Sequence, residues 1–489
     1  MPEKVAVIGA GIAGIAVSIR LAVKGYSVSV FEQNEQTGGK MNEFRHERYR
    51  FDTGPSLFTL PESIEELFKL AGEDIRDHLQ YRRLDEVCRY FYEDGMTINA
   101  YSDPENFARE LVLKTGEDHS SVMAYLEKSR EIFSITEPVF LRKSLHQVRN
   151  YLSPDFFKSF LQVYKIKPFT TLHDLNRKYF RHKNSVRIFD RFATYNGSDP
   201  YRTPSTLMVI SHLEHNLGAY FPSKGMFEIA RSLTGLAERL GVTFHLNSKA
   251  EEVIVRGNKV EGIRLADGTR FDCSMAVSDI DIWHLYKNLL KSVRFPEKWF
   301  RHERSTSALI FYWGMEIRSE KLSLHNILFS KDYEQEFRDL FSLKKIHSDP
   351  TVYIFISSKE VPSDAPAGCE NWFVMVNAPE NTGQDWERMI ADCRLSIFDK
   401  IHKYLGIDVE KHRKFEFVLD PRGIETKTAS YRGSLYGSSS NSMWSAFRRH
   451  PNFSGIKGMY FTGGSVHPGG GIPLCLNSAE IVSDLIDSK

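Results

Sequence analysis

Cysteine is scarce in this 489-residue chain. Cys88, Cys273, Cys369, Cys393 and Cys475 are scattered, odd in number and never spaced C-x-x-C. That pattern argues against a disulfide framework and against a zinc site, so no metal is expected. An excess of one charge is missing too. The chain carries 64 Lys and Arg against 63 Asp and Glu, a net +1. No whole-molecule field draws it to nucleic acid, and no nucleic-acid partner is expected. There is no run of roughly 18 apolar residues, the length a membrane-spanning helix needs. No basic start followed by a long apolar stretch marks a secretory leader. The expectation is a cytoplasmic protein. What remains is an ordinary globular composition, 41% hydrophobic and 26% charged, in a chain long enough for more than one core.

The first residues carry the first chemical signal. Val5-Ala6-Val7-Ile8 reads as a strand buried on both faces. Gly9-Ala10-Gly11-Ile12-Ala13-Gly14 follows, a G-x-G-x-x-G, then a helical pattern through Ile15, Ile19 and Leu21. Ser27-Val28-Ser29-Val30-Phe31 reads as a second strand ending in Glu32. Gly9 permits the tight turn, Gly11 lets backbone approach a pyrophosphate, and Gly14 lets the helix pack on the strand. Glu32 stands about 20 residues on, where a carboxylate can accept hydrogen bonds from ribose hydroxyls. Strand, glycines, helix, strand and acid agree in register, so a dinucleotide site is expected.

Gly38-Gly39-Lys40 and Phe51-Asp52-Thr53-Gly54-Pro55 follow. At the other end, Met459-Tyr460-Phe461-Thr462 reads as a short strand, Gly463-Gly464 as a close turn, and His467-Pro468-Gly469-Gly470-Gly471-Ile472-Pro473 as a glycine loop opening a helix. Together these resemble the FAD-binding amine-oxidase and carotenoid-desaturase superfamily, and the last segment resembles the C-terminal signature of bacterial-type phytoene desaturases. Arg191 to Pro200 and Tyr220 to Met226 resemble further family segments. Lys40 departs from the commoner Arg, and Gly464 and Val466 are milder departures. The resemblance implies FAD as cofactor. Its site is expected to comprise Gly9, Gly11, Ile12, Ala13, Gly14, Glu32, Gly38, Gly39, Lys40, Val253, Gly463, Gly464, Gly471, Ile472 and Pro473, with the backbone near Val253 pairing with the adenine.

The expected fold is α/β: a discontinuous Rossmann-like FAD-binding domain, a mixed β-sheet substrate domain and a helical insert facing a membrane. The FAD domain is assigned to 1–80, 215–295 and 420–489, the substrate domain to 81–102 and 296–419, and the insert to 103–214. From Val139 to Arg191 there are 12 Lys and Arg but only 3 Asp and Glu, an excess of +9. Phe140, Tyr151, Leu152, Phe156, Phe157, Phe160, Val163, Tyr164 and Phe169 interleave with them. Rings and long cations suit the headgroup zone of an anionic bilayer. The expectation is a lid held peripherally on the inner face of the cell membrane.

The family resemblance implies dehydrogenation of a C–C bond beside the polyene of a carotenoid. It leans to a 3,4-desaturase of a hydroxylated or monocyclic carotenoid. A phytoene or diapophytoene desaturase, a carotenoid isomerase, a terminal oxygenase and a non-catalytic flavin or polyene carrier are the alternatives. No second G-x-G-x-x-G follows a strand, so no dedicated nicotinamide domain is expected; the family resemblance implies oxygen or a membrane quinone as terminal electron acceptor. Candidate catalytic residues, taken from the acids and histidines near the flavin motifs, are His467 and Asp199, with Glu214 and His215 behind them.

Overall fold

The computed structural model describes residues 2–166 and 169–487. Lys167, and the side chains of Phe160 and Val163, lie outside them. Five strands form a parallel sheet in the order Met459–Phe461, Met275–Ser278, Lys4–Ile8, Ser27–Phe31, Thr243–His245. They come from three separated stretches of chain. The register aligns Phe461, Ser278, Ile8 and Phe31 side by side. The loops leaving these four residues therefore converge at one edge. Open parallel sheets hold ligands at this carboxyl edge.

The strand residues Val5, Ala6 and Val7 are wholly buried because helices cover both faces. The Ile12–Val23 helix packs on the sheet and against the C-terminal helix, Ile472–Asp487, and the Phe227–Arg239 helix. The C-terminal helix thus belongs structurally to the beginning of the chain.

A second sheet has seven strands, in the order Arg413–Leu419, Ser307–Met315, Glu370–Ala378, Val352–Phe355, His325–Leu328, Glu86–Phe91, Thr97–Tyr101. Only the His325–Leu328 and Glu86–Phe91 pair runs parallel. Ser307–Met315 is buried at all nine positions, as its unbroken apolar and aromatic run requires. The amphipathic segment after it folds as the Trp386–Leu405 helix and covers one face. From Pro104 to Leu217 the regular elements among the described residues are all helical.

A buried ionic knot ties the two-stranded hairpin Glu43–Asp52 to the turn at Asp364 and to the start of the Phe227–Arg239 helix. Arg50, on the Tyr49–Asp52 strand, reaches Glu43, Asp52 (2.7 Å) and Asp364 (3.0 Å). Asp52 in turn accepts from the backbone N–H groups of Met226 and Phe227, both at 3.0 Å, and so caps the Phe227–Arg239 helix. All five cysteines are free.

Candidate functional site

A cavity of about 1680 Å³ opens at the carboxyl edge of the parallel sheet and continues beneath the seven-stranded sheet. That exceeds the roughly 300–1,000 Å³ of an ordinary ligand pocket. It has room for a dinucleotide and a second molecule together.

The dinucleotide end is built by short-range geometry. Gly11 is the N-cap of the Ile12–Val23 helix, and no side chain caps it. The N–H groups of Ile12 and Ala13, the first two of that helix, are left for a ligand, and both residues line the cavity. Exposed N–H groups at a helix start are an anion site. Glu32 is pinned by accepting from the Ala10 N–H (2.8 Å) and the Asn34 N–H (2.9 Å). Its carboxylate is thereby presented to the cavity at the distance along the chain a ribose requires. Gly38 donates its N–H to the Ala10 carbonyl at 2.7 Å, drawing the second glycine turn against the first. The cradle leaves no room for side chains: a Cβ on Gly11 would lie 2.4 Å from Asp279 Oδ2. These features fit FAD, with the helix start for the phosphates and Glu32 for the ribose.

Gly9, Gly11, Ile12, Ala13, Glu32, Gly38, Gly39, Lys40, Gly464, Gly471, Ile472 and Pro473 all line this one cavity. Residues from both ends of the sequence meet there. Lys40 does so in an unexpected way. Its ammonium donates to the Leu435 carbonyl at 2.7 Å, and burial holds its pKa below the ordinary lysine value. It ties the glycine turn to the loop at 435 and does not stand free for a phosphate.

Three expected cofactor residues lie off the cavity wall. Gly14 sits behind the helix start, where its N–H donates to Asp279 Oδ2 at 2.9 Å. Gly463 lies against the same carboxylate. Val253, expected to meet the adenine through its backbone, is the third, and its side chain does not face the cavity. It is 1% exposed, pairs with Ile263 and packs in the core with Ile8 and Phe31. The alternation of the Ala250–Arg256 strand turns it inward, and the strand start, Lys249, Ala250 and Glu251, reaches the cavity instead.

Both leading catalytic candidates are also corrected. His467 is 1% exposed, does not line the cavity, and meets the Lys143 carbonyl through Nε2 at 2.9 Å. Burial pushes its pKa down to about 3, so it stays neutral. It joins the C-terminal loop to the helical insert. Asp199 is buried away from the cavity and accepts from the Tyr201 N–H at 2.9 Å. Burial raises its carboxyl to about 6. His215 is buried and stacked on Phe107, with ring centroids 4.1 Å apart. Of the four candidates, Glu214 alone lines the cavity.

Residues the sequence did not single out are as telling. Asp279, just past the Met275–Ser278 strand, stands between Gly11, Gly14 and Gly463. Burial pushes its carboxyl up to about 7, with Glu32 adding to the rise and the Gly14 N–H and Lys40 opposing it. An unfolded aspartate titrates near pH 4. Stability is therefore lost as pH rises from about 4 through about 7, where the folded state must give up a proton it holds more tightly than the unfolded chain does. Asp279→Asn is expected to raise the melting temperature of the apoprotein at pH 8 and to change it little at pH 4. Equal shifts at the two pH values would remove this titration as the cause. A position-by-position reading of the strand end supplied no signal for Asp279, because its importance comes from three distant glycines.

The wider part of the cavity is walled by Ile310, Tyr312, Tyr353, Phe373 and Met375 from the seven-stranded sheet. Arg191, Tyr195 and Glu214 line it from the helical insert. Arg191 pairs with Glu214 at 2.9 Å and donates to the Tyr90 hydroxyl at 2.7 Å. Glu214 sits on a π-helical turn, His212–Leu217, a distortion often found at functional sites.

Comparisons with known proteins agree with this geometry. A family described as "Flavin containing amine oxidoreductase" matches residues 12–487. The chain is 45% identical over 485 residues to a 1-hydroxycarotenoid 3,4-desaturase of Flavobacterium sp. (strain P99-3), covering 99% of each chain. It is 28% identical to a 4,4'-diapolycopene oxygenase of Methylomonas sp, covering 99% of this chain and 98% of that one. Among solved structures, putrescine oxidase bound to putrescine superposes with a TM-score of 0.63 at 13% identity, with 100% of both chains covered. An oxidoreductase from Methanosarcina mazei superposes with a TM-score of 0.60 at 12% identity, covering 99% and 100%.

Proposed function

This chain belongs to the family of flavin-containing amine oxidoreductases, and we propose that within it the protein is an FAD-dependent desaturase that introduces a 3,4 double bond into a hydroxylated or monocyclic carotenoid. One observation carries this reading. A single cavity joins the dinucleotide cradle to a chamber walled by Ile310, Tyr312, Phe373 and Met375, suited to a long apolar polyene. The 45% identity over the whole chain to a protein of that activity supports it.

Desaturation removes two hydrogens from adjacent carbons, one with its electron pair and one as a proton. When bound, FAD supplies the two-electron acceptor. The chain holds the polyene end beside the cofactor and excludes water through its aromatic walls. The proton leaves a carbon next to a conjugated system that already spreads developing charge, so positioning and dryness matter more than a strong base. Oxygen or a membrane quinone serves as the final electron acceptor in this reading.

The test is coexpression in hosts making defined carotenoids, followed by pigment mass analysis. Loss of two hydrogens with a red-shifted absorption band is the expected product. Gain of oxygen would favour the terminal-oxygenase alternative, which the similarity to the Methylomonas protein keeps in view. An unchanged pigment would reject both.

The substrate's insolubility calls for a membrane surface, and the helical insert carries an exposed apolar face suited to one. Val148, Leu152, Phe157, Leu161, Tyr164 and Phe169 are exposed, Leu152 and Phe169 at 83%. Trp444 and Phe447 are exposed too, and Phe447 lies against Phe140 of the insert. No helix among the described residues is long and apolar enough to cross a membrane. We assign this face to peripheral docking on the inner leaflet of the cell membrane, with the surrounding basic residues each adding about 1 kcal/mol on anionic lipid. The protein is expected to float with anionic liposomes at low salt, and the Leu152→Ser, Phe157→Ser double variant to remain below. Wild-type protein left in the aqueous fraction would defeat the assignment.

A further inference from the structure

A polar cluster interrupts the apolar walls of the cavity. Arg191 and Glu214 form an ion pair there, and Tyr195 donates to the Glu214 carboxylate. Beside them, His325 Nδ1 meets the Tyr353 hydroxyl at 2.8 Å, and that hydroxyl meets Ser56 Oγ at 2.6 Å. Ser56 follows the Thr53-Gly54-Pro55 turn, whose Gly54 packs on the Lys40 backbone. The hydrogen-bonded chain Ser56–Tyr353–His325 therefore runs along the cavity wall from the edge of the flavin cradle, and His325 lies within the field of the Arg191 charge.

A buried ion pair alone is weak evidence of anything but architecture. Two atoms are not explained by architecture. Arg191 Nε and His325 Nε2 have no hydrogen-bond partner in the protein. Their side chains are nearly out of solvent, with Arg191 8% and His325 3% exposed. Both residues line the cavity. Leaving such groups unpaired costs free energy unless a ligand meets them.

We propose that Arg191 and His325 form a binding site for a hydroxyl group at the end of the polyene substrate, an inference that rests on the desaturase reading above. Arg191 Nε–H can only donate. Burial, with Arg191 adding to it, pushes the His325 pKa down to about 3, so the ring is neutral and Nε2 accepts or donates according to its tautomer. A hydroxyl, which both donates and accepts, satisfies the pair in either case. A hydrocarbon terminus satisfies neither group. The location also suits the chemistry. Carbon 1, which bears the hydroxyl, lies two bonds from carbon 3, where a 3,4-desaturase acts, so groups that bind the hydroxyl must lie near the flavin cradle. The Ser56 link places them there.

The experiment uses flavin-loaded enzyme and two polyenes of equal length and conjugation, one with the terminal hydroxyl and one without. Two quantities are read: kcat/KM for each, and Kd from the perturbation of the flavin absorption band, which needs no turnover. Wild type is expected to favour the hydroxylated polyene by at least about tenfold in both. His325→Phe, which keeps ring stacking on Phe355 but removes both ring nitrogens, is expected to bring both ratios toward one. Arg191→Lys keeps a cation for Glu214 but removes the Nε donor, and should lower them as well. Either variant decides if the other does not load flavin. Product from both polyenes at equal efficiency would overturn the hydroxyl site and leave the desaturase standing. Product from neither would overturn the desaturase, and the Kd ratio would still test the site. Variants that keep the wild-type ratios would overturn the assignment to these two residues.

Discussion

Gly14→Ala is expected to give a colourless protein. A Cβ at Gly14 would lie 2.1 Å from the Gly9 carbonyl oxygen and 3.1 Å from Asp279 Oδ2. The first contact is with backbone in a tight turn, which cannot rotate away as a side chain can. The start of the Ile12–Val23 helix must then move off the strand, taking with it the N–H groups that face the cofactor phosphates. Overpacking of this kind costs about 1–3 kcal/mol. The loss of aligned donors adds to it, so flavin affinity should fall by well over about tenfold, the equivalent of 1.4 kcal/mol. The check is the ratio of flavin absorbance to protein absorbance after purification and after reconstitution with excess FAD. Wild-type yellow protein would show that the helix can give way at no cost.

Arg50→Met is expected to produce the largest loss of stability. Arg50 bridges Glu43, Asp52 and Asp364; Glu43 also meets Arg45 and Arg231, but the Asp52 and Asp364 side chains are 1% and 2% exposed and face each other across the Arg50 guanidinium. Removing it leaves buried like charges, a change that costs about 3–5 kcal/mol. Even with Arg50 in place, burial raises the Asp364 carboxyl above its ordinary range. Without the guanidinium the folded state must bind protons that the unfolded chain does not. The deficit should therefore be greatest above neutral pH and shrink as pH falls. Denaturant midpoints at pH 8 and pH 5 test this. A variant as stable as wild type at pH 8 would show that the knot contributes nothing. Arg50→Lys should recover only part of the loss, since an ammonium cannot reach three carboxylates with a fork's geometry.

The parts of the fold legible in the sequence are those in which neighbouring residues carry the message. The strand Val5 to Ile8, the glycine spacing and Glu32 sit within one βαβ unit, and the structure places them in register. The Trp386–Leu405 helix shows as a period of apolar residues, and the seven-stranded sheet as short apolar runs such as Ser307–Met315. The C-terminal glycine loop was legible as a phosphate or flavin loop for the same reason.

The misreadings share one cause. His467 and Asp199 adjoin recognised motifs along the chain, yet side-chain direction at a loop is set by what packs around it. His467 turns to Lys143 and Asp199 to its own turn.

By itself, the sequence determined that the start of this chain holds a dinucleotide, because glycine spacing and strand periodicity are local properties that survive without a partner; that the far end closes the same site followed from the family resemblance. Only the tertiary structure decided which acids and histidines face the substrate. Arg191, Glu214, His325, Tyr353 and Ser56 come from five distant places, and a hydrogen bond between such groups exists only once the sheets and the helical insert have closed over the same cavity.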